Sequence, residues 1–156
     1  MAGIETLEWE PLFVMRLNVA YAETQQIGGQ DKLGIFPVHG GTFEGARLRG
    51  KVLTDGADWV TWQADGTMNI DVRTSLETDD GAKIAMHYTG IATATSAEAA
   101  ERFRRREPGE YGDMYVHTTP RFVTEHPKYE WLNRVIAVTN GMRTPDGPMY
   151  HVFAIK

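Results

Sequence analysis

The chain contains no cysteine. That excludes a disulfide framework, a thiolate nucleophile and any zinc site built on Cys, and it suits the reducing cytoplasm, where we expect the protein to reside. Long apolar runs are also missing. No stretch approaches the ~18 residues a spanning helix needs, so no membrane partner is expected. The opening residues, MAGIETLEWEPLF, lack the basic start and apolar run of a secretory leader. Basic charge is scarce too, with 16 Lys and Arg against 21 Asp and Glu and a net charge of −5. A nucleic-acid partner is therefore not expected. There is no Gly-x-Gly-x-x-Gly before a helix, no Walker loop and no Gly-x-Ser-x-Gly elbow. The histidines, His39, His87, His117, His126 and His151, show neither His-x-His nor His-x-x-x-His spacing. Neither a metal nor a cofactor is expected.

What is present reads as strands. The 156 residues are about one domain's worth, and we take 1–156 as a single domain. Glycine (16) and proline (7) punctuate the whole chain, as suits short strands joined by turns. Over 11–21, Phe13, Met15, Leu17, Val19 and Tyr21 alternate with Arg16 and Asn18. Period-two alternation marks a half-buried strand. Residues 22–34 read as a loop. Gly40-Gly41 implies positive φ or a close backbone approach. Residues 47–53 and 57–63 read as a hairpin turning at Asp55-Gly56. Met68, Ile70, Val72, Thr74 and Leu76 share one face of a strand over 67–77, which pairs with 82–92. A helix is predicted near 96–107, with Thr95 as N-cap and Pro108-Gly109 as its stop. Further strands are predicted at 113–124, 133–139 and 149–155. The sum is an all-β fold, a compact antiparallel β-barrel of about eight to nine strands with one short helix. Closure would remove exposed edges.

Several side chains are candidates for chemistry, each with an ordinary alternative. Asp58 and Trp59 begin a strand after a turn. The Asp is either a general acid/base near a barrel mouth or a turn residue capping backbone N–H groups. Glu44, between Phe43 and Gly45, is a catalytic base or a loop brace. Asp71 and Arg73 share one strand face. Outside, they are a solvated ion pair worth little; inside, Arg73 anchors an oxyanion and Asp71 holds it in place. Tyr115, His117 and Thr119 share a face and can form a donor set or simply face water. Trp131 walls a pocket or plugs a barrel end. The Arg102–Arg106 cluster reads as a solvated helix face.

Three segments, GGTFEGARLRGKVLTDGADWV (40–60), NIDVRTSLETDDGAKI (69–84) and YVHTTPRFVTEHPKYEWLNR (115–134), together resemble the bacterial and fungal family called domain of unknown function 3237. The resemblance implies a barrel similar in outline to that of allene oxide cyclase. It also implies that Asp-x-Arg at 71–73 recurs, which favours the pocket reading. At His117 the family pattern implies an Arg instead. The expected function is a cofactor-independent enzyme acting on a small oxygenated molecule by acid/base chemistry, of isomerase, cyclase or lyase/hydratase type. In that reading Asp58 or Glu44 is the acid/base and Arg73 stabilises the oxyanion. Asp71, Trp59, Tyr115, His117, Thr119 and Trp131 shape the binding site. The alternatives are a non-catalytic small-ligand barrel and a structural or interaction module with a plugged barrel. Self-association into a homo-oligomer is left open.

Overall fold

A computed structural model describes residues 5–156. Eleven strands and one α-helix are present among them. The strands are β1 (Trp9–Val19), β2 (Gln25–Ile27), β3 (Leu33–Glu44), β4 (Arg49–Val52), β5 (Gly56–Trp62) and β6 (Met68–Thr78), then β7 (Lys83–Ala94), β8 (Met114–Thr118), β9 (Arg121–Val123), β10 (Ala137–Thr144) and β11 (Gly147–Ile155). Helix α1 spans Ala97–Arg104. The count exceeds eight or nine because β2 lies in the 22–34 segment expected to be a loop and because the predicted 113–124 strand divides into β8 and β9; β2 and β9 have three residues each. Such short strands carry too little alternation to be seen in sequence. Among the described residues, no helix is long and apolar enough to cross a membrane.

All ladders between strands are antiparallel, in the order β10-β11-β1-β3-β4-β6-β7-β8. The first and last strands of that path meet, curling the sheet into a barrel. They meet through side chains: the Thr118 N–H donates to Thr139 Oγ1 at 3.1 Å, and the two hydroxyls lie 2.7 Å apart. His117 Nδ1 faces the Thr139 carbonyl at 2.8 Å. Among the described residues, no backbone ladder joins β8 to β10.

The predicted 47–63 hairpin does not form. Strands β4 and β5 lie end to end in the same slot between β3 and β6. Asp55-Gly56 is thus a link within one edge-to-edge course rather than a reversal. Strand β3 is long enough to serve both, bending at Gly40 and Gly41. A Cβ on Gly41 would fall 2.0 Å from the Arg16 carbonyl oxygen, so the close approach there admits glycine alone. The helix cap also differs. Ser96 Oγ, not Thr95, accepts the Ala99 N–H at 3.0 Å. Thr95 instead donates its hydroxyl to the Gly112 carbonyl, which consumes the group that a cap would use.

The barrel interior has two halves. In one, Phe13 packs edge-on against Phe43 and Phe122, with ring centroids 5.4 and 6.0 Å apart. Met15, Leu76, Ile84 and Leu132 fill the rest of that half and are fully buried. The 3-10 turn over Glu130–Arg134 closes this end. Asn133 braces it, accepting the Thr124 N–H and donating to the Thr124 carbonyl, each at 2.8 Å. The other half is hollow.

Candidate functional site

The hollow half encloses a cavity of about 130 Å³. Alternation puts every second residue of the flanking strands into it. Val38 of β3, Val60 of β5, and Ile70 and Val72 of β6 make its wall apolar. Asp58 breaks that pattern. It sits in register between Phe36 and Val72, both cavity residues, on the inward face that also carries Gly56 and Val60. A carboxyl group thus stands where the period calls for an aliphatic side chain.

Its surroundings set its chemistry. Burial disfavours the charged form, so the Asp58 pKa rises from 3.8 to about 7. One hydrogen bond works against that, from the Asp71 N–H to Asp58 Oδ1 at 3.1 Å. It exists because the β5–β6 ladder is interrupted: pairing skips from Asp58↔Val72 to Thr61↔Asn69.

Three phenols share the cavity: Tyr21, just beyond β1, Tyr88 of β7 and Tyr150 of β11. Burial pushes all three pKa values up, and the Asp58 charge adds to the effect. All three are therefore neutral donors at neutral pH. Tyr88 and Tyr150 pack edge-on at 5.4 Å. Tyr88 Oη is buried and makes no well-formed hydrogen bond, although the Tyr150 phenol is near enough to influence its ionisation. A buried hydroxyl without a partner costs about 1–3 kcal/mol, which makes it a donor available to something else.

The mouth is built by α1 and the start of the β10–β11 turn. Phe103 of α1, Met142 and Arg143 of β10 line it together with Tyr21. Arg143 Nη1 donates to the Phe103 carbonyl. Burial lowers the Arg143 pKa, and the nearby Arg106 charge lowers it further. Among the described residues, no group of three or more His, Asp or Glu side chains is placed to hold a metal ion.

Of the residues singled out in sequence, Asp58 lines this cavity and the others do not. Arg73 and Asp71 are exposed on the outer face of β6, because Ile70, Val72 and Thr74 take the inner positions. Asp71 pairs there with His87 Nε2 at 2.9 Å rather than with Arg73. Glu44 is exposed at the end of β3. Trp59, next to Asp58, points outward and is 51% exposed. Tyr115, His117 and Thr119 also lie outside, since Thr118 takes the inward position; Tyr115 and His117 stack edge-on at 4.5 Å. Trp131 is at the plugged end, with the Arg47 guanidinium 3.6 Å from its ring centre. Tyr88, Tyr150 and Arg143 were missed. For the tyrosines the signal existed, since each occupies an inward position of an alternating strand. Arg143 has none, because its side chain depends on where α1 lies.

Comparison with known proteins follows this geometry. A family model described as "Protein of unknown function (DUF3237)" matches residues 7–155. A UPF0311 protein of Rhodopseudomonas palustris is 30% identical over 141 residues, covering 90% of this chain and 92% of its own. The crystal structure of a beta-barrel like protein from Acinetobacter baumannii superposes with a TM-score of 0.82 at 33% identity, covering 97% of each chain. The crystal structure of an enzyme from Penicillium herquei superposes with a TM-score of 0.71 at 22% identity, covering 96% of this chain and 95% of its own. That last likeness is one of fold.

Proposed function

The chain belongs to the DUF3237 family, and on that premise we propose that it is an enzyme that moves protons on a small oxygenated molecule without a bound cofactor. The observation carrying this reading is the Asp58 carboxyl, set in an apolar cavity with a pKa of about 7. Such a group is divided between acid and base at neutral pH, which is where general acid/base catalysis works best. As carboxylate, Asp58 takes a proton from carbon or oxygen of the substrate. The charge then grows on a substrate oxygen, where Tyr88 and Tyr150 donate to it. Returning the proton to a second atom completes an isomerisation or cyclisation; losing or gaining water with it completes a lyase or hydratase reaction. Neither route needs an oxidant. The fold serves an enzyme in Penicillium herquei, which supports catalysis as one of its uses.

The apolar wall favours a second reading, a barrel that binds a ligand and leaves it unchanged. One measurement separates the two. Ring lactones, enones and aromatic acids are incubated with protein in D₂O and followed by NMR. Deuterium enters a substrate C–H position with wild type and not with Asp58→Asn, while both bind. Binding with no exchange in either protein supports the carrier, and equal exchange in both removes Asp58 from the chemistry. An open cavity weighs against a plugged interaction module.

A further inference from the structure

Arg143, which lines the mouth, and Arg106, beside it over the Tyr21 ring, lack what the neighbouring arginines have. Arg102 pairs with Asp113 at 2.8 Å, and Arg104 and Arg105 pair with Glu101. Arg106 and Arg143 have no carboxylate partner among the described residues, in a chain with 21 acidic side chains. They are nevertheless held together. The Phe103 carbonyl accepts the Arg106 N–H at 3.0 Å and also Arg143 Nη1. Their guanidinium carbons stand 4.9 and 5.9 Å from the same Tyr21 ring. Arg106 takes φ 57° as the left-handed residue that ends α1, its N–H donating to the Phe103 carbonyl and the Glu107 N–H to the Arg102 carbonyl, both at 3.0 Å. Like charges held about one ring, with no carboxylate partner among the described residues, await an anion.

The cavity behind them limits the ligand's body. At about 130 Å³ it is close to the ~150 Å³ apolar cavity that takes up benzene. We infer that Arg106 and Arg143 form an anion clamp at the mouth, and that the ligand is a carboxylic acid bearing one ring-sized apolar body. The ring enters between Val60, Ile70 and Val72. The planar carboxylate stays outside, where guanidinium groups match it with paired N–H donors. This rests on the proposed site and adds the class of molecule that it takes.

Calorimetric titration with benzoate and cyclohexanecarboxylate, against neutral benzamide, tests it. The variants are Arg106→Gly, which suits the left-handed backbone, and Arg143→Gln, with melting curves to show that both fold. Both carboxylates bind wild type, and either variant weakens them at least tenfold while changing benzamide less than twofold. The clamp is overturned if benzamide binds wild type as tightly as benzoate, if both variants bind benzoate normally, or if neither carboxylate binds. Its failure is distinct from that of the catalytic reading. Asp58-dependent deuterium exchange on a neutral ligand, with no effect of either arginine, keeps the enzyme and removes the clamp. Arginine-dependent binding without Asp58-dependent exchange does the reverse.

Discussion

The carboxylate of Asp58 and the backbone amide of Asp71 meet at 3.1 Å across a break in the β5–β6 ladder. The ladder there gives up pairing at Trp59 and Val60. In exchange it holds an ionisable group on the inner wall. Burial outweighs this one hydrogen bond, which is why the pKa rises rather than falls.

That balance predicts a stability cost. The unfolded chain releases the Asp58 proton near its ordinary 3.8, the folded protein near 7. Between those values the folded state binds more protons, so stability falls as pH rises, and the loss is complete above about pH 7. Asp58→Asn carries no charge. Urea unfolding is expected to find it more stable than wild type by ~2–4 kcal/mol at pH 8, with the gap closing toward pH 4. Equal stability at pH 8 would mean that the carboxylate is well solvated.

Acting as base, Asp58 must be ionised. Deuterium exchange should therefore climb with pH and level off above about pH 7. A rate that falls through the same window would assign Asp58 the acid role instead.

Tyr88→Phe removes a buried hydroxyl that has no well-formed partner. Its loss should leave the protein as stable as wild type or up to ~1 kcal/mol more so. Exchange should nonetheless slow by ~10- to 100-fold if the phenol serves the substrate oxygen. Unchanged exchange would reduce Tyr88 to a wall residue.

Arg73→Met should change little. The side chain is exposed on the outer face, where substitutions usually stay within about 0.5 kcal/mol. Benzoate titration should give the wild-type affinity; a clear loss would place Arg73 within reach of the ligand.

At the plugged end, Asn133→Ala deletes both hydrogen bonds to Thr124 and leaves its N–H without that acceptor. A loss of about 1–2 kcal/mol is expected in thermal melts, with benzoate affinity intact because the cavity is at the opposite end. Weakened binding would show that the two ends are coupled.

Much of the barrel was legible because burial follows alternation. The inward series Met68, Ile70, Val72, Thr74 and Leu76 fills the interior as read. The same rule already put Arg73 outside, and the recurrence of Asp-x-Arg that the family resemblance implies argued for the wrong side. Alternation also held the clue to Asp58, Tyr88 and Tyr150, as polar groups at inward positions. The 47–63 segment misled because a hairpin and two collinear strands share the same local signals. Only long-range pairing with β3 and β6 separates them. Arg106 and Arg143 were illegible for a related reason. They are 37 positions apart, and one carbonyl of a short helix brings them together.

The seam between β8 and β10 gives the barrel a clasp. Elsewhere, prising strands apart breaks rows of backbone bonds at once; here it parts two threonine hydroxyls, one amide and one imidazole. Met114 and Val116 form the inner wall of the cavity and, from behind, the floor of a groove on the outer surface. Beside a seam that has no backbone ladder among the described residues, the cavity and the outer groove thus share one wall.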